Sequence, residues 1–74
     1  MGLGMKVIEL LVRKPRLPPK MIRKNLGIAK STLYNCMVFL KEFKLIKNVN
    51  HGVFEATDWG KKVLETVENF TEDN

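Results

Sequence analysis

Cysteine and histidine are almost absent from this sequence, which has one residue of each, Cys36 and His51. One cysteine cannot form a disulfide within the chain, and one cysteine with one histidine provides too few ligands for a structural zinc site. A chain of 74 residues has a small core, which usually needs a crosslink, a metal or a partner subunit. Self-association is the remaining source of stability, and we expect no cofactor or metal.

Long apolar runs and targeting signals are also absent. No stretch approaches the roughly 20 apolar residues that a membrane-spanning helix needs, and the N-terminus does not resemble a signal peptide. We therefore expect an intracellular, cytoplasmic protein without a membrane partner. The sequence has no catalytic carboxylate pair, no nucleophile with a matching base and no glycine-rich phosphate loop, so it predicts that the protein is not an enzyme.

Acidic residues are scarce in the first two thirds of the chain. Residues 1–48 hold eleven lysines or arginines and only two glutamates, whereas residues 49–74 hold two lysines and six acidic residues. One part of the molecule is therefore suited to a polyanionic partner, and the C-terminal part is not. The alternative is a chance asymmetry in a short chain.

The residues that are present predict a mainly α protein with a small β-hairpin. Apolar residues recur at helical spacing in four segments, whose ends are marked by prolines, glycines or a threonine. These segments predict helices over residues 3–13, 18–26, 30–43 and 58–70. A tight turn at Gly27 separates the second helix from the third, and Thr57 is the expected N-cap of the last. Two short apolar segments around Asn-His-Gly predict a hairpin over residues 45–56, and we expect a single domain over residues 1–74.

The third predicted helix has an apolar stripe and a polar flank. Its apolar stripe, at i, i+3, i+4, i+7 and i+10, consists of Leu33, Cys36, Met37, Leu40 and Phe43. Cys36 is therefore expected to be a core residue rather than a reactive thiol. Ser31, Tyr34 and Asn35 lie on the opposite side, which leaves them available to a ligand.

The first predicted helix is apolar around more than half of its circumference. Only Lys6, Glu9 and Arg13 form a polar stripe. An arc this wide exceeds what a surface helix needs for one core, so we interpret part of it as a contact with a second copy of the chain. The alternative is a central helix that its own chain surrounds.

The stretch LPPKMIRKNLGIAKSTLYNCMVFLKEFKLIK resembles the helix-turn-helix of small prokaryotic and archaeal winged-helix regulators of the multiple-antibiotic-resistance-regulator (MarR) type. Leu26-Gly27 ends the second helix, Ile28 fills the turn, and Ser31-Thr32-Leu33 opens the third helix, as in that pattern. FEATDWGKKVLE is similar to the second wing strand and the start of the following helix. The resemblance spans about Val7 to Phe70 and implies a winged helix-turn-helix with a three-helix core, a wing and a C-terminal helix.

The resemblance implies double-stranded DNA as the partner, with the third helix, over residues 30–43, as recognition helix in the major groove. The side chains expected to contact bases or phosphates from this helix are Lys30, Ser31, Thr32, Tyr34 and Asn35. Asn35 is the first choice for base readout. Those expected to contact the phosphate backbone from the second helix and the loop before it are Arg16, Lys20, Arg23 and Lys24. Those at the hairpin are Lys47, Asn48, Asn50 and His51. The alternative for all of them is a solvated polar surface.

The resemblance also implies that the first and last helices form the surface of a homodimer. The residues expected at this dimer interface are Met5, Ile8, Val12, Leu64, Val67 and Phe70. Such a dimer would act as a transcriptional regulator, typically a repressor, on a pseudo-palindromic site. The sequence shows no effector domain, so we do not expect a small-molecule effector. The alternative is an effector that binds in a pocket at the dimer interface.

The sequence departs from the family pattern at three places. Arg23 stands where a small residue is usual, Ala29 stands where a Ser or Thr cap is usual, and Val38 with Phe39 stands where basic residues are common. Two other functions therefore stay open. One is a winged-helix adaptor that binds proteins, and the other is a plasmid or viral replication or partition protein that binds DNA.

Overall fold

Four helices and one antiparallel hairpin follow one another in the computed structural model, which describes residues 2–72 and the side chains of residues 2–70. In chain order the elements are α1 (Leu3–Arg13), α2 (Pro19–Leu26), α3 (Lys30–Glu42), β1 (Ile46–Asn50), β2 (Val53–Ala56) and α4 (Asp58–Glu72). The predicted mainly α class with a small hairpin is confirmed. The predicted bounds of α1 match at both ends, and the other predicted ends agree with the structure to within two residues.

The connection between α2 and α3 is as short as the sequence predicts. Gly27 has a φ of 65° and ends α2 in the left-handed conformation that glycine adopts without steric cost. Its N–H donates to the Arg23 carbonyl at 2.7 Å, and the Ile28 N–H donates to the same carbonyl at 3.3 Å. The chain therefore reverses within three residues, Gly27 to Ala29, and α3 begins at Lys30.

The end of α3 differs from the prediction. Lys44 takes a φ of 59°, and the Leu45 N–H donates to the Leu40 carbonyl at 2.9 Å, which is the hydrogen bond of a Schellman cap. This cap turns Leu45 into the core beside Leu40, whereas Phe43 stays 54% exposed. The predicted burial of Phe43 is therefore wrong, because the helix stops before that position can complete its stripe.

The hairpin pairs β1 with β2, and Asn48 stands opposite Phe54 while Lys47 stands opposite Glu55. The loop before α2 attaches to the same sheet, because Leu17 and Phe54 exchange both backbone hydrogen bonds, at 2.9 and 3.1 Å. The second strand is thereby held between β1 and the entry to α2. This arrangement positions the hairpin next to α2 and α3.

The buried side chains form one cluster to which every helix and both strands contribute. Its centre is α1, which packs against α2, α3, α4 and β2, and whose Val7 and Ile8 have no exposed surface. The predicted role of Ile8 in a dimer contact is therefore wrong, as is that of Leu64, which is 5% exposed in α4. The wide apolar arc of the first helix is explained by the chain that surrounds it.

The start of α4 is fixed to the end of α3 by Thr57. Its hydroxyl accepts a hydrogen bond from the Gly60 N–H at 2.9 Å and donates one to the Lys44 carbonyl at 2.6 Å. The predicted N-cap is thus confirmed, and the same side chain also satisfies a carbonyl of the left-handed cap. Gly60 packs directly against the backbone carbonyl of Leu45.

Replacing Thr57 with valine removes both hydrogen bonds and keeps the side-chain shape. We expect the free energy of unfolding to fall by about 1 to 2 kcal/mol, the cost of losing a cap. Urea denaturation measures the change. Thr32→Val is the matched control, because Thr32 is exposed on α3, and its effect should stay within about 0.5 kcal/mol. Equal losses in the two variants would contradict the double role of Thr57.

Candidate nucleic-acid interface

The outward face of α3 presents the polar side chains that the sequence assigns to DNA contact. One side of α3 faces the core through its buried side chains, Leu33, Met37 and Leu40. The five predicted contact residues of this helix are all exposed: Lys30, Ser31, Thr32, Tyr34 and Asn35. Tyr34 is 67% exposed. The α3 face is therefore accessible to a large ligand.

The N-terminal turn of α3 adds backbone donors to this face. Ala29 is the N-cap residue, and no side chain of the described residues caps the helix. The first N–H groups of a helix have no partner within it, and the aligned peptide dipoles give this end a partial positive charge. With Lys30 as the first helical residue, the start of α3 is suited to a phosphate group.

Between α2, α3 and β2 lies a concave surface, which we call the α2–α3 groove. Its lining consists of Pro19, Arg23, Lys30, Leu33, Tyr34, Met37, Val38, Lys41 and Phe54. Arg23 is half-buried there, in contrast to Lys20 and Lys24, which are exposed on α2. The structure thus brings together Arg23, Lys30 and Tyr34 of the predicted contact residues.

Lys41 belongs to this surface, although the sequence analysis did not include it among the contact residues. Its ammonium lies 5.6 Å from the centre of the Phe54 ring, within the range of a cation–π interaction. Lys41 follows Lys30 by three helical turns and Tyr34 by two, so its position on the same side of α3 could have been found from helical spacing. The partnership with Phe54 could not, because Phe54 comes from the hairpin.

The hairpin separates the remaining predicted contact residues. Residues opposite each other in an antiparallel pair point to the same face of the sheet, so Asn48 shares a face with Phe54, and Lys47 and Glu55 share the other. On that second face Glu55 pairs with Lys47 at 3.4 Å and with Arg16 at 3.6 Å. Arg16 and Lys47 therefore lie away from the α2–α3 groove, with part of their charge neutralised.

The tip of the hairpin is exposed. Asn50 and His51 lie at its turn, which Gly52 closes with a φ of 77°. The strand register shifts between Asn48 and Asn50, as in a β-bulge. The side chains of Asn50 and His51 are therefore accessible. The hairpin turn sets their position, and no packing against the core holds them.

Cys36 is half-buried on α3 and packs against the core. Burial raises the pKa of its thiol above the ordinary value. Because the thiolate is the reactive form, a raised pKa favours the protonated thiol and lowers its reactivity at neutral pH. This agrees with its predicted role as a core residue.

A second exposed surface, which is apolar, lies on α4. Trp59 is 57% exposed, and it shares a shallow depression with Lys62, Val63, Thr66 and Val67. Of the other residues predicted for a dimer interface, Val12 and Phe70 are exposed and Met5 is half-buried. Apolar surface therefore remains on α4 although Leu64 belongs to the core.

Comparison with models of protein families, with curated proteins and with solved structures finds no match for this chain. Within residues 2–72, no helix combines the length and the apolar character needed to cross a bilayer. In the same part of the chain, no three or more His, Cys, Asp or Glu side chains form a group that could hold a metal ion.

Proposed function

We propose that this protein is a winged-helix protein that binds double-stranded DNA in a sequence-specific manner and regulates transcription, typically as a repressor. The observation that carries the proposal is the exposed polar face at the start of α3, with lysines and an arginine from α2 and α3 around it. α3 would enter the major groove, and the hairpin would be the wing.

The chemistry of the α3 face fits base readout. The major groove is about 12 Å wide, so it admits one α-helix, and its base edges distinguish all four base pairs. Asn35 can form two hydrogen bonds with adenine, and Ser31 can bond to base or phosphate oxygens. Tyr34 can contact a thymine methyl or donate a hydrogen bond from its hydroxyl to a phosphate.

The charges around α3 supply affinity without sequence information. Lys20 and Lys24 on α2 and Lys30 on α3 are exposed, and none of them makes an ion pair with another described residue. Each phosphate that such a cation neutralises releases condensed counterions, which favours binding and makes it depend on salt. Arg16 and Lys47 contribute less, because both face Glu55.

Neutralising Lys30 should therefore weaken DNA binding more than neutralising Lys47. For Lys30→Gln we expect the slope of log K against log salt concentration to become shallower by about 1, the value of one phosphate contact. For Lys47→Gln we expect a clearly smaller change in this slope, since the Lys47 ammonium already pairs with the Glu55 carboxylate. Fluorescence anisotropy over a salt series measures both slopes. Equal changes in the two slopes would contradict the inference that Glu55 neutralises the charge of Lys47.

We propose that the protein binds as a homodimer through the apolar surface of α4. A two-fold dimer would hold two copies of α3 about 34 Å apart, one duplex turn. The chain has one tryptophan, Trp59, so its fluorescence reports on this surface. We expect the emission maximum to move to shorter wavelength as protein concentration rises, together with a doubling of the mass in sedimentation.

A substitution on α4 tests this dimer surface. Thr66→Arg adds a second cationic side chain, besides Lys62, to the depression around Trp59, so two copies would repel each other there. We expect the variant to stay monomeric and its emission maximum to become independent of concentration. Glu65→Arg changes the same helix outside the depression around Trp59 and should leave the mass unchanged. A wild-type protein that sediments as a monomer at every concentration would contradict the dimer.

The experiment that tests the proposed function is selection of bound sequences from a random pool of duplexes. We expect an enriched, pseudo-palindromic site whose half-sites lie about 10 base pairs apart, centre to centre. A pool that shows no enrichment, or a protein that retains no duplex at low salt, would contradict the proposal.

One observation favours a second function, that of a protein-binding adaptor. Phe39 on α3 and Phe43 at its C-cap are 60% and 54% exposed, with ring centroids 4.6 Å apart. Exposed aromatic pairs of this kind are typical of protein interfaces. An adaptor should show little loss of binding as salt rises, whereas DNA binding through several phosphates should weaken steeply.

A further inference from the structure

We propose that the α2–α3 groove binds a medium-chain alkyl carboxylate, a free fatty-acid anion in solution. The hydrocarbon would lie on the exposed apolar lining of the groove, above the buried Leu33, Met37 and Phe54. The carboxylate would meet Lys41, whose ammonium stands over the Phe54 ring. Nothing in the proposed base and phosphate contacts uses the apolar part of this groove.

The shape of the groove suits a hydrocarbon. Six of its nine lining residues are apolar or aromatic, with Leu33, Met37 and Phe54 at the core side and Pro19 and Val38 among the others. Almost all of the surface that the nine lining residues expose in the groove is apolar, so the charged groups of Arg23, Lys30 and Lys41 stand at its rim. A nucleobase would find few hydrogen-bonding partners there, whereas an alkyl chain needs none.

The charge of the groove suits an anion. The three remaining polar side chains are Arg23, Lys30 and Lys41, and the lining contains no carboxylate. None of these cations makes an ion pair with any residue that the structure describes. Lys41 lies over the Phe54 ring, so a cation stands directly beside the apolar surface. A carboxylate at this position would accept a charge-assisted hydrogen bond from the Lys41 ammonium.

The size of the groove sets the length of the ligand. Its volume is about 300 Å³, at the lower end of small-molecule sites. A volume of this order favours a medium-length chain, of roughly ten carbons, over a long-chain lipid.

The groove shares Lys30 and Tyr34 with the α3 face, so a bound carboxylate would compete with DNA. This consequence rests on the proposed function, whereas the binding of the carboxylate does not. Competition of this kind would release the DNA when the carboxylate accumulates.

Methyl NMR on protein labelled at the methionine methyl groups tests the site directly, with decanoate as the probe. Met37 lines the groove, whereas Met5 and Met21 do not. We expect a saturable shift of the Met37 signal and little change at Met5 and Met21. Decanol and decyltrimethylammonium, which have the same chain without the negative charge, should bind at least about tenfold more weakly.

Two double variants separate charge from folding. Lys30→Gln with Lys41→Gln should weaken decanoate binding by about tenfold and leave decanol unchanged, because only the carboxylate uses the cations. Lys6→Gln with Lys61→Gln makes the same change in net charge outside the groove and should leave decanoate binding unchanged. The dispersion of the NMR spectrum verifies that each variant is folded.

The proposal is overturned if decanoate leaves Met37 unshifted, if Met5 and Met21 respond equally, or if decanol binds as tightly. It is also overturned if an acidic amphipathic peptide shifts Met37 at lower concentration than decanoate. Displacement of the selected duplex by decanoate is measured separately. If decanoate binds and no duplex does, the groove site is supported and the proposed function is contradicted. If a duplex binds and decanoate does not, the proposed function is supported and the groove site is contradicted.

Discussion

Replacing Lys20 and Lys30 together with glutamate is expected to abolish specific DNA binding at physiological salt. Both side chains are exposed, Lys20 on α2 and Lys30 at the first residue of α3. Each reversal removes a phosphate contact and adds a repulsion at the same place. Two lost contacts should make the slope of log K against log salt concentration shallower by about 2, and the affinity should fall by more than about a hundredfold.

The control for this variant reverses two lysines elsewhere. Lys6 on α1 and Lys61 on α4 are also exposed, and changing both to glutamate alters the net charge by the same amount. If the whole-molecule charge determined binding, the two double variants would lose affinity equally. A contact surface built from α2 and α3 predicts a much smaller loss for Lys6 and Lys61. Equal losses would contradict the proposed interface.

Replacing Gly60 with alanine is expected to cause a larger loss of stability than alanine at any of the other four glycines. A Cβ atom at Gly60 would meet the backbone carbonyl oxygen of Leu45, and the carbonyl carbon of Leu45 would lie 3.1 Å away. Neither atom can move without shifting the cap of α3, which Thr57 also holds. Overpacking of this kind costs about 3 kcal/mol.

Such a loss is large for a protein of this size, whose core supplies about 3 to 5 kcal/mol. We therefore expect Gly60→Ala to lower Tm by about 15 °C, measured by circular dichroism. Gly4→Ala is the matched control, since Gly4 also lies within a helix and its Cβ would meet only the end of the Leu40 side chain, at 3.4 Å. Because alanine favours a helix over glycine by about 1 kcal/mol, Gly4→Ala should preserve or raise stability. A Gly60→Ala variant as stable as the wild type would show that α4 does not dock as closely as described.

The local signals of the sequence are sufficient to predict every helix and the hairpin. Glycine with a positive φ at Gly27 and a hydroxyl cap at Thr57 act within a few residues of their position, so they can be recognised without the rest of the chain. The exposure of Ser31, Tyr34 and Asn35 follows equally from the period of α3, whose other side carries Leu33 and Met37. The polar face of the candidate site was therefore predictable.

The errors arise where a distant segment decides the environment. Phe43 fits the apolar period of α3, but the left-handed turn at Lys44 brings Leu45 into the core in its place. Ile8 fits an outward apolar arc, but α4 and the hairpin pack around α1. In both cases the sequence supplied an apolar residue at a suitable spacing, and the choice of which one is buried depended on contacts between elements.

By itself, the sequence determined the order of the elements, the caps that bound them and the positively charged polar face of α3, because all of these depend on neighbouring residues. Only the tertiary structure decided that Glu55 neutralises Arg16 and Lys47, that Lys41 and Phe54 complete the α2–α3 groove, and that Ile8 and Leu64 belong to the core. These features join residues far apart in the chain, and the energies of burial and charge depend on distances in space that no local pattern contains.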